Sequence, residues 1–303
     1  MANKEHLALL KQGAVRWLSW RTKNPEIEPD LSGASLRGIN LRGAYLEGAC
    51  LRNCDLSETV LIAAHLSRAN LNTANLQAAS LLDAHLIEAS LVDAKLINAD
   101  LRGADFSHAN LIGANLRGAD LQGADLSEAN LIGTELRGAN LRGANLSGAN
   151  LKRTNLSEAN LYQANLNLTN LSSANLHEAR FHGAYLYKAN LHKAKLSESH
   201  FGGAYVFWAD LSEADLYKAD FRWSNLSKAN LAGANLSNAN FTGANLSNAI
   251  LAGADLRGAS LNKANLSKVN LTGANLEAAN LEDALLSQAR LEMTVMPDGK
   301  IHP

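Results

Sequence analysis

The sequence predicts an all-β solenoid, and three observations predict it. A large apolar residue falls on every fifth position from Leu31 to Leu291 without a slip: 47 Leu, five Phe (Phe106, Phe181, Phe201, Phe221, Phe241) and Val206. A small residue, nearly always Ala, follows three places later, as at Ala34, Ala44, Ala49 and on to Ala289. Asn or Asp commonly stands between, so the unit reads Ala-(Asn/Asp)-Leu-x-x, as in Ala139-Asn140-Leu141-Arg142-Gly143.

A five-residue period excludes the ordinary elements. On an α-helix it advances about 500°, so the leucines would wander around the cylinder. On a continuous strand an odd period would throw successive leucines onto opposite faces. A short extended piece followed by a corner satisfies both limits: Ala inward, Asn or Asp outward, Leu inward, then two residues that turn. Gly in the last place of many units, as at Gly113 and Gly138, suits a corner that needs positive φ.

A second clock runs at 20 residues. Phe181, Phe201, Phe221 and Phe241 keep that spacing, as do Thr134 and Thr154 among the Ala sites. Twenty residues are four units, so four walls make one turn and each Phe stacks on the next. On this motif the chain resembles the pentapeptide-repeat proteins over about nine-tenths of its length. The resemblance implies a right-handed quadrilateral β-helix, here of about 13 coils and, at about 4.8 Å per coil, roughly 60 Å long.

Residues 1–29 are expected to form an N-terminal capping helix and linker, 30–295 the β-helix, and 296–303 a C-terminal turn. Helical periodicity is confined to residues 3–22, where Leu7, Leu10, Ala14, Trp17 and Leu18 share a face and Asn3 is the N-cap. Such a helix covers the raw apolar end of a solenoid, and Trp17 and Trp20 serve that purpose. Asn24-Pro25 stops it. Pro297-Asp298-Gly299 signals a turn, with Met296 and Ile301 folding back over the last leucines. Both terminal segments resemble those of cyanobacterial family members. The gyrase-protecting members differ in having a C-terminal dimerisation helix and, often, loops that break the array.

A formal charge of −1 and a pI near 6.8 do not suggest a nucleic-acid binder. With no 18-residue apolar run and no signal-peptide pattern, the expectation is a cytoplasmic protein without membrane contact. Cys50 takes an outward site and Cys54 an inward one, which argues against a disulfide.

No catalytic constellation emerges: Asp and Asn recur because the wall position favours side chains that bond their own backbone or stack in ladders. A non-enzyme with neither cofactor nor metal is expected. His65 and His85 are equivalent sites one coil apart, but two ligands without a third make a poor metal site. Glu158, Glu178 and Glu198 stack in register and end at Lys218, which reads as a solvated face.

On the 20-residue clock Tyr185, Tyr187 and Lys188 lie against Tyr205, Phe207 and Trp208 of the next coil. Outward aromatics beside a cation make a candidate protein-contact patch, with a merely stabilising ring ladder as the plainer reading. A second outward column joins Val92, Ile112 and Ile132, and either a second copy of the chain or simple β-propensity accounts for it. The function expected is a non-catalytic interaction scaffold with an unidentified protein partner, a homodimer being compatible with it. The alternative is a DNA-mimicking regulator of a topoisomerase such as gyrase. A metal- or small-molecule-binding protein is a third class with less support.

Overall fold

A computed structural model describes residues 2–303, which form two compact units divided between Asn150 and Leu151. Within each unit the chain returns on itself every 20 residues. Parallel bridges run from Asp30↔Cys50 to Asn130↔Asn150 in the first unit and from Asn155↔Asn175 to Asn275↔Val295 in the second. Each five-residue repeat contributes one bridge, at the Asn/Asp position, and one turn, at the two residues after Leu. The extended walls expected from the sequence are therefore single paired residues, and among the described residues no continuous strand forms. Turning the chain every five residues leaves no length over which a ladder could run.

Where Asn or Asp holds the wall position, the repeat accounts for all five of its backbone N–H groups. Leu36 donates forward to the Asp55 carbonyl (2.8 Å), and Asp55 donates back to the Ala34 carbonyl (3.0 Å). Gly33 donates forward to Arg52 (2.8 Å), while Ala34 closes its own turn onto Leu31 (3.0 Å). The fifth N–H, on the residue after Leu, is taken by the Asn/Asp side chain two positions earlier, as Ser127 donates to Asp125 Oδ1 at 2.8 Å. Buried backbone donors left unpaired are costly, so this closure explains why Asn and Asp dominate the site. The same side chains also link turns, with Asn230 Nδ2 donating to Asp210 Oδ1 at 3.1 Å.

Leucine and alanine side chains fill the interior, and nearly all from Leu46 to Leu276 are wholly buried. Phe181, Phe201, Phe221 and Phe241 stack at 4.4, 4.6 and 5.1 Å, with planes within 10° of parallel. Polar replacements at Ala sites are satisfied locally: Thr59 donates to the Leu36 carbonyl at 2.9 Å and Thr134 to that of Leu111 at 2.8 Å. Cys54 is buried and free, burial pushing its thiol up to about 11. Cys50 is also free. The corner residue has positive φ throughout, and not only at glycine: Trp208 and Trp223 adopt 59° and 60°.

The N-terminal cap is two helices rather than the single one expected over 3–22: α1 (Lys4–Lys11) and α2 (Ala14–Lys23). Gly13, at φ 101°, cannot continue a helix and breaks it. The shared face is broken with it: Leu10 and Trp17 are buried, whereas Ala14 and Leu18 are exposed. Asn3 caps α1 as expected, accepting from the Glu5 and His6 amides. Trp17 donates its indole N–H to the Tyr45 carbonyl (2.9 Å) and Asp30 donates its amide to His6 Nδ1 (3.0 Å), which docks the cap on the first turns. At the other end the Pro297–Lys300 turn forms and Val295 pairs antiparallel with Ile301. Ile301 is nevertheless 60% exposed, and Leu281, Leu286 and Leu291 are only half-buried. The hairpin thus folds back without covering the last leucines.

Candidate interaction surface

The backbone register brings the six patch residues together. The Tyr185↔Tyr205 bridge sets the Tyr185 and Tyr205 rings face to face, centroids 5.0 Å apart and planes 3° from parallel. Tyr187 stacks on Phe207 at 5.7 Å, and Phe207 meets Trp208 edge-on at 6.2 Å. Lys188 Nζ lies 5.3 Å from the Tyr187 ring and 5.8 Å from that of Trp208. Tyr185, Tyr205 and Trp208 remain 47%, 50% and 48% exposed, whereas Phe207 is half-buried beneath its neighbours.

One contributor escaped the sequence reading, and two further exposed apolar residues stand on neighbouring turns. Lys228 stands one turn beyond Trp208, its Nζ 5.2 Å from the indole and 5.9 Å from the Phe207 ring, so Trp208 has a lysine on the turn before and on the turn after. One more step of the 20-residue clock would have found it. Trp223 is 68% exposed, and its ring lies over Gly243, where an added Cβ would stand 2.3 Å from it. Leu168, one turn before Lys188, is also exposed.

The second apolar column is less outward than expected. Val92, Ile112 and Ile132 are each half-buried, because side chains one turn apart at about 4.8 Å cover one another. Their amides are held by Asn72, Asn110 and Asn130. His65 and His85 come together by stacking, at 5.3 Å, and His65 stacks in turn on Tyr45 at 4.4 Å. Among the described residues no group of three His, Cys, Asp or Glu side chains gathers as a metal cage. Glu178 pairs with His177 (3.3 Å), and Lys218 lies over Tyr217.

Carboxylates elsewhere are clamped by the arginine two residues on. Arg102 binds Asp100 through two nitrogens at 2.8 Å, and its guanidinium holds that carboxyl below the usual range. Arg257 does the same to Asp255. At Asp220 burial works to raise the pKa, but the hydrogen bonds from Arg222 outweigh it and the net shift is downward. Among the described residues no helix is long and apolar enough to cross a membrane.

No curated protein sequence matches the chain. Among solved structures it is similar to HetL, a pentapeptide repeat protein involved in heterocyst differentiation regulation from the cyanobacterium Nostoc sp. strain PCC 7120. That match has 40% identity over 76% of this chain and 92% of HetL, with a TM-score of 0.36. Rfr23 from the cyanobacterium Cyanothece 51142 is 40% identical over 29% of this chain and 57% of its own, TM-score 0.27. QnrB1, a plasmid-mediated fluoroquinolone resistance protein, is 20% identical over 66% of this chain and 88% of its own, TM-score 0.44. The model of pentapeptide repeats matches residues 28–203 and 207–277, interrupted only around Val206, the one position in the Leu row from 31 to 291 that is neither Leu nor Phe. With the repeat, its 20-residue register and this match in agreement, the chain belongs to the pentapeptide-repeat family.

Proposed function

We propose that the protein is a non-catalytic, cytoplasmic interaction scaffold that binds a protein partner through Tyr185, Tyr187, Lys188, Tyr205, Phe207 and Trp208. One observation carries the reading: exposed aromatics and lysines of the second unit gather on successive turns of one wall. Exposed aromatic clusters of this kind serve as anchors in protein interfaces. The division into a cap at 1–29, a four-walled right-handed β-helix of about 13 coils at 30–295 and a terminal turn at 296–303 fits this role, because a repeated backbone presents side chains at fixed spacing. Two unpaired cysteines fit a reducing compartment.

The test is a double variant, Phe207→Ala with Trp208→Ala. The expected result is loss of the partner that the parent captures, confirmed with the purified partner, while the melting temperature moves by no more than about 2 °C. Equal binding by parent and variant would sink the proposal. The DNA-mimic reading needs a long unbroken acidic stripe, and Arg102 and Arg222, bound to Asp100 and Asp220 at the same place in the 20-residue frame, interrupt one. A gyrase supercoiling assay inhibited by excess protein would revive it.

A further inference from the structure

Six successive turns of the second unit present the same stretch of the 20-residue frame: residues 162–168, 182–188, 202–208, 222–228, 242–248 and 262–268. Not one of these residues is Asp or Glu, in a chain that has 29. The stretch carries Lys188, Arg222, Lys228, Lys263 and Lys268. Arg222 is bound to Asp220 just outside it, while the four lysines make no ion pair among the described residues. A protein of net charge −1 therefore has one wall from which negative charge is absent over about 25 Å, at about 4.8 Å per turn.

The aromatic rings on this wall add to the same polarity. Tyr185 and Tyr205, and Tyr187 and Phe207, stack along the direction in which turns succeed one another, so each pair hides faces and turns edges to solvent. Ring edges are the positive side of the aromatic quadrupole. Trp208 has its neighbouring space on both turns taken by lysine. Little open π-face is left for a nucleobase, whereas donors and positive edges are plentiful.

We propose that this wall binds an acidic, extended segment of a partner protein, its carboxylates over Lys188, Lys228 and Lys268 and its apolar groups against Phe207 and Trp208. The inference rests on the contact-site reading above and names the partner's chemistry. Spacing sharpens it. Lys188, Lys228 and Lys268 stand two turns apart, about 9.6 Å. A polyproline-II segment brings every third residue to one side after about 9.3 Å. The matching ligand has Asp or Glu at every third position.

The probe is a labelled peptide of Glu-Pro-Pro repeats, compared with Glu-Pro repeats of equal charge and with a single-stranded oligonucleotide of equal charge. The Glu-Pro-Pro peptide is expected to bind best, to weaken as salt rises, and to bind about tenfold or more weakly to the variant Lys188→Glu with Lys228→Glu. Lys11→Glu, on α1, is expected to leave binding unchanged. The reversed variants fold: the same left-handed corner already holds glutamate at Glu58 and Glu88. No binding, binding indifferent to the charge reversal, or preference for the oligonucleotide overturns the inference. If Phe207→Ala with Trp208→Ala abolishes partner capture while the charge reversal does not, the contact site stands and the acidic ligand falls. If the peptide binds but partner capture ignores the aromatic variant, the proposed contact site falls instead.

Discussion

The two units present the same stretch of the 20-residue frame with different character, mixed in charge in the first and free of acids in the second. In the first unit, residues 42–48, 62–68, 82–88, 102–108, 122–128 and 142–148 carry Glu47, Asp83, Glu88, Asp105, Asp125 and Glu128 beside Arg42, Arg68, Arg102 and Arg142, and their outward rings are Tyr45, His65, His85 and His108. Several of these acids are engaged: Glu47 pairs with Arg68, and Glu128 with His108. In the second unit the stretch has no acid, more aromatics and lysines without partners. Beneath the surface the plan is shared, since both rest on buried Leu and Ala and the same hydrogen-bond cycle, the second unit differing by its stack of four Phe where the first has Phe106 alone. A repeat this regular separates stability from specificity: the inward residues, held to Leu, Ala and a few Phe, set the first, and the outward ones are free to differ.

The largest effect tests the shared half of that comparison. Leu86→Asp in the first unit and Leu186→Asp in the second each bury an unpaired charge where the parent side chain has no solvent contact. Both are expected to lose about 4 kcal/mol or more, measured by denaturant unfolding. A mild effect in one unit alone would show that the interiors are not equivalent.

Asn230→Ala removes both the bond to the Ala232 amide (3.1 Å) and the ladder bond to Asp210. A loss of about 1 to 2 kcal/mol is expected, and Asn75→Ala in the first unit, which removes the matching pair of bonds to the Gln77 amide and to Asp55, should cost about the same. Unequal losses would mean that the repeat's hydrogen-bond cycle contributes differently in the two units.

The smallest effect is a titration. His182 has its pKa lowered below 6.5, first by burial and then by His200, Arg222 and Arg180, with Asp220 opposing. A histidine with a depressed folded pKa binds fewer protons folded than unfolded, so its contribution to stability is present above about pH 6.5 and is lost as pH falls through the folded value. By linkage an acidic ligand on this wall raises that pKa, and its affinity grows as pH drops below about 6.5, until its own carboxylates protonate near about 4.3. NMR titration of His182 with and without the Glu-Pro-Pro peptide reads the shift, and His182→Gln should flatten it. An unchanged His182 titration would place the ligand away from this end of the wall.

Much of this was legible in the residues. The fivefold leucine row set the interior, and Phe181 and its three successors set the 20-residue return. The same register placed Tyr185 on Tyr205 and Lys188 by Trp208 before any coordinates. Less legible were features that depend on one residue's backbone or on a side chain's path. Gly13 split the cap, because a positive φ overrides a helical pattern that continues on either side. Trp223 lays its ring across a turn, over Gly243.

The sequence by itself determined which side chains are inside and how far apart in the chain two neighbours stand, because the period of five keeps the leucines together and the 20-residue spacing of Phe181, Phe201, Phe221 and Phe241 closes each turn. Tertiary structure decided how much of each outward residue meets water: Phe207 and Ile112 are half-covered while Trp208 and Tyr205 stand out. Exposure depends on what the next turn lays over a side chain, and that is a property of neighbours 20 residues away rather than of the residue itself.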